Sequence, residues 1–353
     1  MVMTYANLQD RIEQILQDAS NATYDTTELG MWIEAALKEF SQYDPHIVPV
    51  VFQIESRFGA DTAGTASSLT DTTKSQFLAA DATDEKVIHN TTDDTWAVVL
   101  TRTSTSVMTL SADIMDIGEG YEIFNKRCFN ERQIYIGDVT DYLWIDSVEY
   151  PIGVKRSWRV YNDVLEIMVN SVGDSNSILD PPNQVDVLVR FAKPHKLCQL
   201  GTLAGAVNLS AGYVKGTKTM ALDGLGSTET IEANDEFYLA NKRFIYTITT
   251  GVTLSSGAGN VTFFPGVEDA VVNDDVITFT GSTLKPQHEA LFCRMVAARA
   301  ILSDATARIN AINKGGASTY QKMVNWADGE FEKIEKAFQR NSVPITKRIL
   351  PRD

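Results

Sequence analysis

Four histidines, His46, His89, His195 and His288, are the side chains best suited to proton transfer or metal ligation. They are isolated along the 353 residues, and none is spaced like a metal pair. His195 follows Pro194 in FAKPHKL and reads as a structural or surface histidine. Two acidic pairs, Asp93-Asp94 and Asp274-Asp275, carry the charge a calcium ion would need, but no EF-hand spacing surrounds them and they read as turn residues. Glu34 and Glu39 flank an apolar helix face and read as solvated. Cys128, Cys198 and Cys293 are far apart, odd in number and without a C-x-x-C pair, which is the pattern of reduced, buried thiols. No Walker loop, dinucleotide fingerprint, nucleophile elbow or H-E-x-x-H motif occurs. The chemistry-bearing residues therefore predict no cofactor, no metal and no enzyme.

Charge and hydropathy narrow the partners. A net charge of −15 opposes a protein that grips nucleic acid by neutralising phosphates, and suits one that keeps DNA from sticking. No apolar run approaches the ~18–20 residues that would span a bilayer. The opening MVMTYANLQDRI lacks the basic lead and apolar stretch of a signal peptide.

The elements that must position these residues change character twice along the chain. Leu8, Ile12, Ile15, Leu16 and Ala19 recur at helical spacing, as do Leu29, Trp32, Ile33, Ala36, Leu37 and Phe40, and Asp44-Pro45 ends the second helix. From about Ile47 to Ser282 the sequence is rich in Thr, Val, Ser, Asp and Gly. Short alternating runs, among them Trp96–Thr101, Tyr121–Phe124, Val185–Phe191, Phe244–Thr249 and Val276–Thr280, predict strands. After Leu284 the helical period returns. Pro286 suits a first turn, Leu291 to Ile312 carry one stripe, and Tyr320 to Phe338 carry another. The expected fold class is α+β: a helical bundle formed from both termini, with β-sandwich or barrel-like modules inserted in the middle. The expected divisions are a discontinuous helical core at 1–50 and 284–340, a β module at 51–138, a central β segment at 139–200, a second β module at 201–283 and an extended arm at 341–353.

One phrase occurs twice. GEGYEIFNKRC at Gly118–Cys128 and NDEFYLANKRF at Asn234–Phe244 share an aromatic, an aliphatic two residues on, and Asn-Lys-Arg, 116 positions apart. The phrases are expected to be equivalent strands in two β modules, by duplication or by convergence on one strand-and-turn pattern.

The order of these elements resembles that of head–tail adaptor (connector) proteins of tailed bacteriophages. The resemblance is carried by LQDRIEQILQDAS…TTELGMWIEAALKEFSQYDPHIVP, by LWIDSVEYPIG…WRVYNDVLEIMVNS…PPNQVDVLVRFAKPHKL, and by LKPQHEALFCRMVAARAILSDA…STYQKMVNWADGEFEKIEKAF, about half the chain. It implies a structural protein of the virion neck, assembled in the host cytoplasm. Such a protein forms a homo-oligomeric ring, typically of twelve copies, between the portal and the tail or neck proteins, with no membrane. DNA passes through the centre without specific binding. Twelve copies would carry on the order of −180 charges, which disfavours adhesion of that DNA. The last segment, with Pro344 and Pro351 opposing helix, is apolar and basic at once. Val343, Ile345, Lys347, Arg348, Ile349 and Leu350 are the expected interface of a docking arm, and in the resembling family a C-terminal arm reaches from the ring into the portal. The competing readings are a head decoration, a tail terminator, and a glycan- or host-binding module for which Trp96, Trp144 and Trp158 are the candidate contacts.

Overall fold

A computed structural model of the chain describes residues 4–170, 172, 185–309 and 317–341. Helix α1 (Tyr5–Leu16) starts at Thr4, whose side chain accepts from the Asn7 amide at 3.3 Å, and stops at Gln17 in the left-handed conformation. Helix α2 (Thr26–Tyr43) is capped by Asp25, which accepts from the Thr27 amide at 2.6 Å. Asp44 ends it ahead of Pro45, and the chain turns straight into β1 (His46–Ile54).

A first β unit follows. It comprises β2 (Phe58–Ala60), β3 (Ser68–Thr70), a single turn α3 (Ala80–Thr83), β4 (Val87–Asn90), β5 (Thr95–Ser104), β6 (Val107–Leu110) and β7 (Gly120–Phe124). Its six strands lie in the order β2-β7-β4-β5-β6-β3. The Thr62 amide donates to the Thr70 carbonyl at 2.7 Å, which draws the two ends of that sheet together. The central segment holds β8 (Gln133–Tyr135), β9 (Trp144–Glu149), β10 (Lys155–Arg156), β11 (Trp158–Tyr161), β12 (Val164–Ile167) and β13 (Val185–Lys193). It forms one sheet in the order β1-β13-β9-β10 and another in the order β11-β12-β8.

The second β unit contains β14 (Ala204–Val207), β15 (Thr219–Asp223), β16 (Thr230–Ile231), β17 (Glu236–Leu239), β18 (Ile245–Thr250), β19 (Val252–Thr253), β20 (Gly259–Phe264) and β21 (Val276–Phe279). Six of these close into a barrel, β14-β15-β20-β18-β17-β21, and β16 pairs with β19 beside it. Helices α4 (Pro286–Ile309) and α5 (Ala317–Asn341) end the described chain.

The expected fold class is corrected. The chain is mostly β, 34% strand against 23% helix, and is not a helical bundle from both termini carrying β insertions. Leu8, Ile12, Leu29, Ile33 and Phe40 do meet Phe292, Val296 and Ile334, but this helical cap is one of four buried apolar clusters among the described residues. The other three belong to the barrel, the central sheets and the first unit. The amphipathic helices were conspicuous because a 3.6-residue stripe is easy to see, whereas most of the buried apolar volume sits on strands of three to ten residues. Trp32, expected in the buried stripe, is only partly buried at the edge of the cap.

The two β units are one fold used twice. Taken in chain order, β2, β3, β4, β5, β6 and β7 match β14, β15, β17, β18, β20 and β21; every antiparallel neighbour relation of the first unit recurs in the barrel, which the further pairing of β14 with β15 closes. Register is kept as well. Ile88 lies opposite Ala97 and Ile123, as Phe237 lies opposite Tyr246 and Phe279. Gly59 faces Tyr121 as Gly205 faces Ile277. The Val99 amide donates to the Lys86 carbonyl at 2.9 Å, and the Ile248 amide to that of Asp235 at 2.8 Å. Ile123 donates to Arg57 and Phe279 to Leu203, both at 2.8 Å. The twin phrases do not mark this repeat, contrary to expectation. The first lies on β7, the last strand of its unit, and the second on β17, whose counterpart is β4. Both are outward-inward alternations running into a tight turn, with Arg127 and Asn241 at positive φ, so the same local demand produced similar words at different places.

Candidate functional site

The expected docking arm, Val343, Ile345, Lys347, Arg348, Ile349 and Leu350, lies outside the described residues. What the structure assembles instead is a charged joint where the helical cap, the central sheet and the barrel meet. Helix α2 delivers Asp44 and then His46. Strand β13, antiparallel to β1, pairs Lys193 with His46 and runs on to His195. The His46 and His195 rings lie 6.0 Å apart, and Phe40 packs on both His195 and His288. His46 Nε2 approaches Glu236 Oε2 of the barrel at 2.9 Å. Asp44 accepts from Lys285 Nζ at 2.8 Å and lies 3.0 Å from His288 Nδ1. Three histidines that are remote in sequence thus share one joint. The signal was present in two X-Pro-His tripeptides, Asp44-Pro45-His46 and Lys193-Pro194-His195, which end a helix and a strand side by side.

The joint is scaffold in its chemistry. His195 Nε2–H donates to the Asp44 carbonyl at 2.6 Å, and Nδ1 accepts from the Thr283 hydroxyl at 3.0 Å. Both ring nitrogens are therefore engaged in the neutral tautomer. Burial lowers its pKa to about 4, and burial likewise lowers that of Lys193. Because the folded-state value of His195 is below the unfolded value of 6.5, the unfolded chain takes up the proton first. The stability His195 provides is complete above pH 6.5 and is lost as pH falls from 6.5 toward 4, by about 3 kcal/mol. Asp235, pushed up to about 6 by burial, has the opposite sign in an overlapping window. A His195→Gln variant is expected to lose acid sensitivity between pH 6.5 and 4 relative to the parent. Urea midpoints measured across that range check it; parallel curves would refute the assignment.

A second charged cluster fixes the first β unit to β1. The Arg57 guanidinium is fully buried, and its Nε and Nη2 donate to Glu55 at 2.9 and 2.7 Å. Nη1 and Nη2 donate to Asp81 at 3.0 and 2.7 Å, and Nη1 also reaches the Gln76 carbonyl at 2.8 Å. Lys86 adds a second cation 3.2 Å from Glu55. Burial opposes ionisation of Glu55, but Arg57 and Lys86 outweigh it and hold the carboxyl down at about 2. Glu55 and Arg57 stand two apart, on one face of an extended segment, a pairing the sequence reading passed over.

The remaining candidates are placed as follows. Asp94 Oδ1 lies 2.9 Å from His89 Nε2, and Asp275 Oδ2 accepts from the Val272 amide at 2.9 Å. No cluster of three potential metal ligands occurs among the described residues. Cys128, Cys198 and Cys293 are buried, and burial pushes their thiols up to about 12, 12 and 11. Trp96 stacks on His89 at 4.0 Å and meets the exposed Phe129 edge-on. Trp158 is half-buried against the central core, and Trp144 is exposed at the start of β9. A cleft of about 750 Å³ separates the two β units, with Phe52, Ile134, Tyr135 and Phe264 among its walls. Lys218 of the barrel crosses it to Asp84 of the first unit at 2.9 Å. No helix among the described residues is long and apolar enough to cross a membrane. Comparison with family models, with curated proteins and with solved structures returned no match.

Proposed function

We propose that this chain is a non-enzymatic structural protein of a tailed-phage virion, an adaptor that forms a ring of about twelve copies between portal and tail around the DNA exit channel. One observation supports a structural role above the others. The groups best suited to chemistry, His46, His195, Glu55, Arg57 and Asp81, sit at joints between elements and hold those elements in register. The reading as an adaptor in particular rests on the resemblance in element order, and the net charge of −15 suits a wall past which DNA slides.

Mass photometry of the purified protein, alone and with portal rings, tests the reading. Twelve chains of 39.0 kDa give a particle of about 470 kDa. A closed assembly near that mass, or its formation on the portal, is the expected result. A chain that ignores portals and instead coats capsid shells would be a decoration protein, and the proposal would fall.

A further inference from the structure

The repeat exposes a difference between the two β units. In the barrel, the outer face of β18 and β20 is covered. Phe264 packs on Phe52 at 5.6 Å, and Thr247 and Thr249 face Val50 and Lys193 across a narrow gap. Glu236, on the neighbouring β17, meets His46 of β1. The covering surface is the central sheet, so a carboxylate on the barrel meets bases on the sheet.

Among the described residues, the corresponding face of the first unit is bare. Its β5 presents Trp96, Val98 and Leu100 outward at alternate positions, where β18 has Ile245, Thr247 and Thr249. Leu100 is 56% exposed and the adjoining Phe129 68%. This face is more apolar than its covered counterpart, yet Val98 and Leu100 stay exposed among the described residues. Asp94 and Glu122 flank it, 2.9 and 3.5 Å from His89.

The chain also carries the complementary surface. From Pro151 to Tyr161 every residue but Trp158 is exposed. This stretch includes β10 and β11, each at the edge of its sheet. It exposes Ile152, Val154, Val160 and Tyr161, an unusual apolar load for two edge strands. It contains Lys155, Arg156 and Arg159 and no acid, within a chain of net charge −15.

We propose that the bare face of the first β unit, Trp96, Val98, Leu100 and Phe129 with Asp94 and Glu122, binds the Pro151–Tyr161 edge of a second copy of this chain. Two different patches on one molecule make a head-to-tail contact, which closes into a ring when the rotation permits. The contact repeats between subunits what the barrel already does within one, an acidic outer face seated on a basic β surface of the central segment. It deepens the ring reading and rests on it for self-association, but needs neither portal nor tail.

The test uses the full chain. Leu100→Cys and Val160→Cys proteins are mixed and oxidised; the native thiols are buried and do not compete. A disulfide-linked heterodimer that neither variant forms alone is expected. In parallel, Asp94→Lys with Glu122→Lys, and separately Lys155→Glu with Arg156→Glu, should each weaken self-association at least tenfold, and the four changes together should restore it. Assemblies that persist with no mixed crosslink, or charge reversals without effect, overturn the proposed contact while leaving a ring built by other surfaces standing. A mixed crosslink from protein that never joins a portal supports the contact and removes the adaptor reading. Binding of duplex DNA by the Pro151–Tyr161 edge in place of a second copy would also overturn it.

Discussion

Replacing Arg57 with methionine is expected to destabilise the first β unit by about 3–5 kcal/mol. The guanidinium has no solvent exposure, and it donates five hydrogen bonds, two to Glu55, two to Asp81 and one to the Gln76 carbonyl. Removing it takes away two of the hydrogen bonds that Asp81 accepts and two of those that Glu55 accepts, together with the charge that faces both carboxylates. A lysine there would keep the charge but lose the planar fork that serves two carboxylates at once, so Arg57→Lys should fall between parent and methionine variant. The pH dependence identifies the cause. In the parent, Glu55 has a folded pKa of about 2, depressed from 4.5, so its contribution is complete above 4.5 and is lost as pH falls toward 2. In Arg57→Met that acid limb should shrink, because Glu55 has lost the larger of the two cations that favour its ionised form. Hydrogen exchange resolved to β4–β7, against urea and pH, is the measurement. Protection in these strands equal to the parent's would show that the cluster carries no stability.

The same cluster shows what the sequence could and could not disclose. The five strand-like runs named from alternation all overlap strands, from Trp96–Thr101 within β5 to Val276–Thr280 over β21. Alternation survives because one face of each strand meets a core. Short or edge strands such as β2, β10 and β16 carry too few residues to show a period. The balance of the fold was misjudged for a related reason. Helical stripes in α1, α2 and α5 announce themselves over three or more turns, and strand cores assemble only when distant segments pair, as β1 does with β13. The histidine joint was out of reach in the same way, since His46 and His195 are neighbours only through that pairing. The repeat was sensed but mislocated. The words that matched, 116 positions apart, are on non-equivalent strands. The residues that do correspond, Ile88 with Phe237 and Ala97 with Tyr246, are 149 apart and share no identity. What is repeated is backbone register, which tolerates any apolar side chain of suitable volume.

That tolerance has a consequence for the barrel. Its centre is aromatic: Phe237 packs on Tyr246, Phe263 and Phe279 with ring centroids 5.3–5.5 Å apart, and all four are buried. The first unit fills the matching positions with Ile88, Ala97, Leu110 and Ile123 and adds the inward polar pair Tyr121 and Asp71, joined at 2.6 Å. Phe237→Ala removes the ring that touches the other three, and closed strands cannot collapse into the space. The expected cost is about 3–5 kcal/mol, lost transfer energy plus the cavity. Phe237→Ile, which installs the first unit's own residue, leaves a smaller void and should cost less than half as much, because the β4-type backbone already accepts that shape in the same register. If size alone governs, both variants keep β17–β18 pairing and differ only in midpoint. Each is measured by urea unfolding with hydrogen exchange resolved to Glu236–Thr250, so that loss in the barrel is separated from the helical cap. Equal costs for alanine and isoleucine would mean that the aromatic contacts themselves, rather than filled volume, hold the barrel, and the two units would then be alike in topology but not in what stabilises them.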